Sequence, residues 1–265
     1  MRLRKDVLAM AREFAASHEL LFALTRRDLL VRYKQAVLGI GWAILSPVLH
    51  MLVFTVIFTR VVRLDTGMPY PVYAYAGLLP WMLFAGSVRT ATTSLTANTA
   101  LVTKVYFARE VLPMAAVLVA LFDFLVASSV LAVLMVWFRV GITWTALALP
   151  LIIVVQLAFT AGIALLFAMA NLFYRDLRHL TDVLLTVWMF CTSVVYPVDQ
   201  VGGRLGRVMA LNPMTPIIDA YRSVLLRGEL PAATPFAASA FIALAVLAIG
   251  WLAFHRAEPR FAESI

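Results

Sequence analysis

Long apolar stretches without a formal charge recur along this chain, and short polar segments separate them. A helix needs about 20 consecutive apolar residues to cross the hydrocarbon core of a bilayer. We predict such spans at about 36–60, 70–90, 111–138, 147–173, 180–198 and 232–254. The fifth is short, because only 16 uncharged residues lie between Asp182 and Asp199. The pattern therefore predicts an all-α membrane protein, with residues 1–265 forming a single transmembrane domain of six transmembrane helices.

The segment before the first span, residues 1–35, repeats apolar positions with the period of a helix. Val7, Met10, Phe14, Leu21 and Leu24 fall on one face, and charged residues fall on the other. A helix of this kind lies in the membrane interface with its basic side toward anionic headgroups. We therefore predict an N-terminal amphipathic interfacial helix on the cytoplasmic side. The alternative is a cytoplasmic helix that packs on its own protein.

Proline and glycine interrupt the apolar sequence between the fifth and sixth spans. Pro197, Pro213, Pro216 and Pro231 break this region, yet apolar runs persist between them. Irregular backbone at membrane depth is tolerated only where protein or a water-filled cavity surrounds it. We therefore predict a re-entrant helical segment here. An external loop with one amphipathic helix is the alternative.

Composition and charge support membrane insertion and fix an orientation. The chain is 63% hydrophobic and only 14% charged, unlike an ordinary soluble domain. Most lysines and arginines fall on the side that holds both termini, so the positive-inside rule predicts cytoplasmic termini. The net charge of +8 is explained by this bias, and we expect no nucleic-acid partner. The single Cys191 excludes an intrachain disulfide.

One charged residue lies within a predicted span. Asp123 is midway along the third span, where a carboxylate needs a bundle-facing partner or protonation. A proton relay would need several ionisable groups in series, and only His50 is a further candidate. We therefore favour a structural role for Asp123.

Aromatic residues cluster near the ends of the predicted spans. We assign most of them to interface belts: Tyr70, Tyr73, Tyr75, Trp81, Trp137 and Trp144. Trp42, Trp188 and Tyr196 are candidates for a pathway in which aromatic faces stack on sugar rings, although the sequence alone favours the belt for these as well.

Sequence motifs for catalysis are absent. The chain has no phosphate-binding Gly-x-x-x-x-Gly-Lys-Ser/Thr loop, no His-Glu-x-x-His and no Cys-x-x-Cys pair. We therefore expect neither enzymatic activity nor a metal site or bound cofactor in this chain.

The connection between the second and third spans carries the most specific motif. Residues 98–113 read NTALVTKVYFAREVLP. This segment resembles the corresponding connection of ABC-2-type permeases that export polysaccharides, the family of O-antigen, capsule and teichoic-acid exporters. Further segments agree in order and spacing, at 27–29, 32–35, 38–42, 171–179, 194–197, 211–214 and 221–222. Ala108 departs from the pattern, since many relatives have proline there.

The resemblance implies a homodimer that works with two copies of a separate ABC ATPase, which binds ATP and Mg. It implies export of a lipid-linked, O-antigen-like polysaccharide across the bacterial inner membrane. The expected ATPase-coupling residues are Asn98, Lys104, Arg109 and Glu110. The expected cytoplasmic gate or lipid-head contacts are Arg26, Arg27, Arg32 and Lys34, and the expected glycan channel includes Trp42, Trp188 and Tyr196.

Other functions fit parts of the sequence. Teichoic-acid or capsule export and an ABC exporter of a lipid or drug share the architecture, although drug and lipid exporters generally carry a larger external domain. An ion-driven transporter would have inverted repeats and several buried ionisable groups, and the sequence has one clear buried carboxylate. A membrane scaffold without transport activity is the remaining alternative.

Overall fold

The computed structural model describes residues 16–34, 36–105, 107–197 and 201–261, whose regular structure is helical. The α-helices in these ranges are α1 (His18–Tyr33), α2 (Gly41–Val56), α3 (Tyr70–Ala97), α4 (Thr99–Lys104), α5 (Val111–Trp137), α6 (Leu149–Phe173), α7 (Leu177–Phe190), α8 (Gly203–Ala210), α9 (Met214–Arg222) and α10 (Ala233–Ala257). π-helical turns extend α2 and α9 at Ile57–Val61 and Ser223–Arg227. 3₁₀ turns at Trp144–Ala148 and Glu258–Arg260 precede α6 and follow α10.

Five helical segments of the described chain are long and apolar enough to cross a membrane. They are Gly41–Val61, Tyr70–Ala97, Val111–Trp137, Trp144–Phe173 and Ala233–Arg260. The predicted span at 180–198 falls on α7, which has 14 residues and a length of about 21 Å. Turns at 191–194 follow it. The sixth crossing therefore stays a prediction.

Helix α3 is the centre of the bundle, and α2, α5, α6, α7 and α9 pack around it. Its tyrosines are buried because their hydroxyls reach backbone carbonyls: Tyr70 donates to Val195 at 2.7 Å and Tyr75 to Ala127 at 3.1 Å. Tyr73, on the same helix, is also buried. The assignment of Tyr70, Tyr73 and Tyr75 to an interface belt was therefore wrong. Trp137 and Trp144, by contrast, are exposed.

Two glycines bring α6 and α10 into close contact. A Cβ atom on Gly162 would lie 2.7 Å from backbone atoms of Val246 and Leu247, and one on Gly250 would lie 2.5 Å from the Gly162 carbonyl oxygen. Small residues allow helix backbones in membranes to approach closely. This contact matters because few residues of α10 are buried.

Helix α9 is buried against α3, α6 and α10. Its Arg222 is 0% exposed and donates to three backbone carbonyls, those of Tyr73 (3.3 Å), Val194 (2.6 Å) and Ser193, and its guanidinium lies 3.7 Å above the Tyr73 ring. Gly77 makes room for it, since a Cβ there would lie 2.3 Å from Arg222 Nη2. Arg222 thus ties the turn after α7 to α3.

Helix α1 packs along α5. Leu24 is buried, whereas Phe22, Leu30 and Val31 are exposed, so the apolar side chains of α1 are not confined to one face. The predicted apolar face also includes Val7, Met10 and Phe14, which lie outside the described residues.

One end of the bundle, which we call the Asn98 end, carries the connections α3–α5 and α6–α7. An apolar cluster holds it together, including Leu24, Leu95, Val102, Val111, Leu172, Phe254 and Phe261. Phe254 and Phe261 bring the end of α10 into this cluster, with their rings 5.0 Å apart. The predicted ATPase-coupling residues lie at this end, and Arg27 of the predicted gate set reaches it through a hydrogen bond to Asn98.

Candidate functional site

A cavity of about 580 Å³ lies between α1, α2, α3, α5 and α7. Apolar side chains form much of its wall, and its polar and aromatic lining includes Arg32, Tyr33, Trp42, His50, Trp81, Arg89 and Asp123. Helix α2 begins beside it after a tight turn, in which Gly39 has a left-handed φ of 51°. Aromatic surfaces and charged groups thus face one space, a combination that suits a ligand with both apolar and anionic parts.

Charged groups from three helices meet at this cavity. Arg32 Nη1 lies 2.5 Å from Asp123 Oδ2, and the Tyr33 hydroxyl donates to Asp123 Oδ1 at 2.5 Å. Arg32 Nη2 also lies 3.5 Å from Thr90 Oγ1 on α3. Arg89, one residue before Thr90, pairs with Asp182 of α7 at 2.6 Å. Asp123 therefore has the bundle-facing partner that its position requires.

Burial and the neighbouring Asp123 carboxylate raise the pKa of Tyr33 to about 12. The phenol therefore stays protonated near neutral pH and acts as a hydrogen-bond donor toward Asp123. Asp123 accepts one hydrogen bond from the Arg32 guanidinium and one from the neutral Tyr33 hydroxyl, and the two bonds together compensate for the removal of its carboxylate from water.

The residues expected to couple to an ATPase take different positions at the Asn98 end. Lys104 is exposed at the end of α4. Asn98 accepts a hydrogen bond from Arg27 at 3.1 Å and donates to Ser94. Arg109 points inward, to the Val102 carbonyl at 3.2 Å and to the Glu258 carboxylate at 3.3 Å.

Glu110 is only 3% exposed and lies 3.4 Å from His255 Nδ1. His255 also lies 3.5 Å from Glu258, and one ligand atom from each of these three residues falls within 4.8 Å of the others. Such a set could hold a divalent ion, but Arg109 already supplies a positive charge to Glu258. No pattern in the sequence indicates these contacts, because Arg109 and Glu258 are 149 positions apart.

The expected gate residues divide between the cavity and the outer surface of α1. Arg32 lines the cavity. Arg26, Arg27 and Lys34 border a separate groove with exposed apolar side chains of α1. Arg27 additionally pairs with Asp28 at 2.8 Å. A surface of cations beside exposed apolar groups suits the headgroup region of a membrane.

Of the three expected channel aromatics, Trp42 lines the cavity and is 47% exposed. Trp188 lies elsewhere: its ring contacts Phe84, and its indole nitrogen donates to Asn212 at 3.0 Å. The Tyr196 hydroxyl donates to the Phe190 carbonyl. Trp81, which the sequence assigned to an interface belt, lines the cavity instead.

A second, polar cavity of about 490 Å³ opens at the Asn98 end. Its lining includes Thr93, Thr96, Thr99, Asn171, Arg175 and Arg178, contributed by the ends of α3 and α6 and the starts of α4 and α7. Asn171 is buried and accepts a hydrogen bond from the Arg178 amide at 3.1 Å. The cavity therefore lies between the two connections at this end, and the hydrogen bond between Arg178 and Asn171 closes the α6–α7 connection.

Comparison with known proteins identifies the family. Residues 19–226 match the family model described as ABC-2 type transporter. The chain is 33% identical to the O-antigen export system permease protein RfbA of Myxococcus xanthus, over 98% of this chain and 100% of that protein. It is 32% identical to an RfbA protein of Klebsiella pneumoniae with the same description, over 92% and 94%, and 25% identical to the polysialic acid transport protein KpsM of Escherichia coli, over 88% and 91%. The chain belongs to the ABC-2 type transporter family.

Proposed function

We propose that this chain is the transmembrane subunit of an ATP-driven exporter that moves a lipid-linked, O-antigen-like polysaccharide out of the cytoplasm. The observation that carries the proposal is the cavity beside α2 and α3, in which aromatic faces and arginines line one space. Relatives named for O-antigen export and for polysialic acid transport, which match along most of their length, support a polysaccharide cargo.

As a member of this family, the chain is a bacterial membrane protein and a permease subunit rather than an enzyme. In the proposed assembly it sits in the inner membrane with both termini in the cytoplasm. Helix α7 and the described residues of 191–197 and 201–227 together complete a sixth crossing, with α8 and α9 as the re-entrant part. Burial of α9 among α3, α6 and α10 supports this arrangement.

The proposed assembly contains two copies of the chain. Helices α2 and α7, which border the cavity, carry many exposed apolar side chains, including Leu52, Val53, Val183 and Val187. A second copy packed over this face would convert the open cavity into an enclosed path between the two subunits.

Two copies of an ABC ATPase, which bind ATP and Mg, would dock at the Asn98 end. The exposed Lys104 and the polar cavity beside α4 offer charged and hydrogen-bonding groups to such a partner. Arg109 links this connection to the end of α10 through Glu258. Movement imposed on α4 would therefore reach both α5 and α10.

Cargo handling follows from the distribution of side chains. Arg26, Arg27 and Lys34 on the outer surface of α1 would attract an anionic lipid head, and Arg32 would receive it at the cavity. Trp42 and Trp81 would then present flat surfaces on which sugar rings slide.

Deletion of the gene tests this proposal. We expect the cells to lose surface polysaccharide and to accumulate lipid-linked glycan inside, and complementation to restore export. Loss of capsule or teichoic acid would assign the cargo to one of those polymers. Intact surface polysaccharide, together with altered sensitivity to a drug or an altered lipid composition, would refute polysaccharide export in favour of the other cargo class.

A further inference from the structure

Polar contacts to two residues hold the last turn of α1 to the bundle: Asp123 makes the short ones, and Thr90 lies 3.5 Å from Arg32 Nη2. Leu30 and Val31 are exposed in this turn, and so is Lys34 directly after it. Arg32 and Tyr33, which are consecutive, both bind the carboxylate of Asp123 at 2.5 Å. The attachment of this turn to α5 therefore depends on Asp123.

The contacts of Arg32 and Asp123 are more exposed than those of Arg222, which links parts of the fold. Arg222 is fully buried and binds backbone carbonyls, so no ligand in the cavity can reach it. The Arg32 and Asp123 side chains are 37% and 26% exposed, and both line the cavity. An anion that enters the cavity can therefore compete with Asp123 for Arg32.

A short link joins the last turn of α1 to α2. Residues 36–40 form tight turns between α1 and α2, and Gly39 has a φ of 51°, a conformation that glycine adopts without strain. The first half of α1 is anchored separately, by Leu20, Leu21 and Leu24, which pack in the apolar cluster of the Asn98 end. Release of the last turn would thus move α1 relative to α2 without detaching the helix.

We propose that Asp123 is an internal latch that occupies the anion site of Arg32 and Tyr33 and keeps α1 closed over the cavity until a phosphate ester displaces it. This inference rests on the proposed function, because the phosphate ester is the head of the lipid-linked cargo. A pyrophosphate group carries more charge than a carboxylate and binds a guanidinium through two parallel hydrogen bonds. It therefore competes effectively for Arg32, and Tyr33 remains able to donate to it.

A spin-label measurement on the full complex with its ATPase tests the latch. With Cys191 replaced by serine, labels at Val31→Cys and Val133→Cys, both exposed positions, report the distance between α1 and α5. We expect Asp123→Asn and Tyr33→Phe each to raise the population of a longer distance by roughly three- to tenfold, the factor for a partly exposed charged hydrogen bond. Asp182→Asn, which removes another interhelical aspartate–arginine pair, should leave the distance unchanged.

The complex with Arg32, Tyr33 and Asp123 unchanged shows which phosphate compound releases α1. Vesicles that contain polyprenyl pyrophosphate should lengthen the distance, whereas phosphatidylcholine vesicles should not. An equal effect of inorganic pyrophosphate at the same concentration would support the latch but assign its trigger to a soluble anion. No lengthening with any phosphate compound would overturn the proposal.

ATP hydrolysis separates the latch from a structural role. If Asp123 only stabilised the fold, Asp123→Asn would lower ATP turnover. As a latch, the variant should have raised turnover without cargo and little further stimulation by lipid-linked glycan. If Asp123→Asn does not fold, Tyr33→Phe replaces it in the test, because Tyr33 lies on the partly exposed surface of α1 and donates to the same carboxylate. Normal basal turnover in both variants would overturn the latch, whereas a wild-type complex that glycan does not stimulate would refute the proposed function itself.

Discussion

Replacement of Gly162 by alanine tests the close contact between α6 and α10. The new Cβ would lie 2.7 Å from backbone atoms of Val246 and Leu247, about 0.7 Å short of an ordinary contact distance of 3.4 Å. Backbone atoms cannot rotate away, so the two helices must separate. A separation of this size loses roughly a quarter to a half of the attractive energy of each dispersion contact along the interface. Beyond this contact, α10 packs against α9, and few of its residues are buried.

Overpacking of a well-packed site costs about 1–3 kcal/mol, and we expect about 3 kcal/mol because all three close atoms are backbone. Alanine returns about 1 kcal/mol through its higher helix propensity. Gly86→Ala is the matched control: it lies inside α3, and the atom nearest to its new Cβ would be the Ala120 Cβ, at 3.9 Å. Gly86→Ala therefore gains the higher helix propensity of alanine without a steric clash.

The two variants should therefore differ by about 3 kcal/mol, or roughly 6–12 °C in Tm for a chain of this size. Thermal unfolding of the purified protein in detergent, followed by tryptophan fluorescence, measures the difference. Gly162→Ala should melt below the wild type and Gly86→Ala at or above it. If Gly162→Ala melted as high as Gly86→Ala, the close approach of α6 and α10 would be incorrect.

Substitutions at four further positions test other parts of the chain. Arg222→Lys should destabilise the protein by about 2 kcal/mol or more, because buried carbonyls lose their donors, and an unchanged Tm would contradict the anchor. Arg109→Ala should lower both Tm and export, because it breaks the contact to Glu258. Lys104→Ala should lower export at an unchanged Tm. Equal Tm values for Arg109→Ala and Lys104→Ala would argue against the inward position of Arg109. Trp42→Ala should slow glycan export more than Trp42→Phe without loss of stability, because only the aromatic ring supports stacking, and equal export rates would remove Trp42 from the path.

The long helices could be predicted from the sequence because a bilayer requires continuous apolar stretches. Five of the six predicted spans coincide with helices of sufficient length and apolarity. The short α7 could not be assigned in this way, because its 14 residues are compatible with a crossing only if another segment completes it.

Contacts between helices were harder to predict because they depend on which face of each helix turns inward. Tyr70 and Tyr75 occur near the end of a span, where exposed aromatics are common, but their hydroxyls reach carbonyls inside the bundle. The charge of Asp123 indicated that it needed a partner, yet nothing in the sequence identified Arg32, 91 residues away. Arg109 had the expected place in the chain, but its inward direction depends on the end of α10.

Under the proposed function, the chain carries a lipid-linked polysaccharide when its ATPase hydrolyses ATP. The direct measurement uses proteoliposomes that contain the chain and its ATPase, with lipid-linked glycan in the outer leaflet and ATP outside. A glycan-specific lectin or hydrolase inside the vesicles reports arrival of the polymer. We predict ATP-dependent accumulation of glycan inside, and none with an ATPase variant that cannot hydrolyse ATP. ATP hydrolysis without any glycan inside the vesicles would contradict the claim.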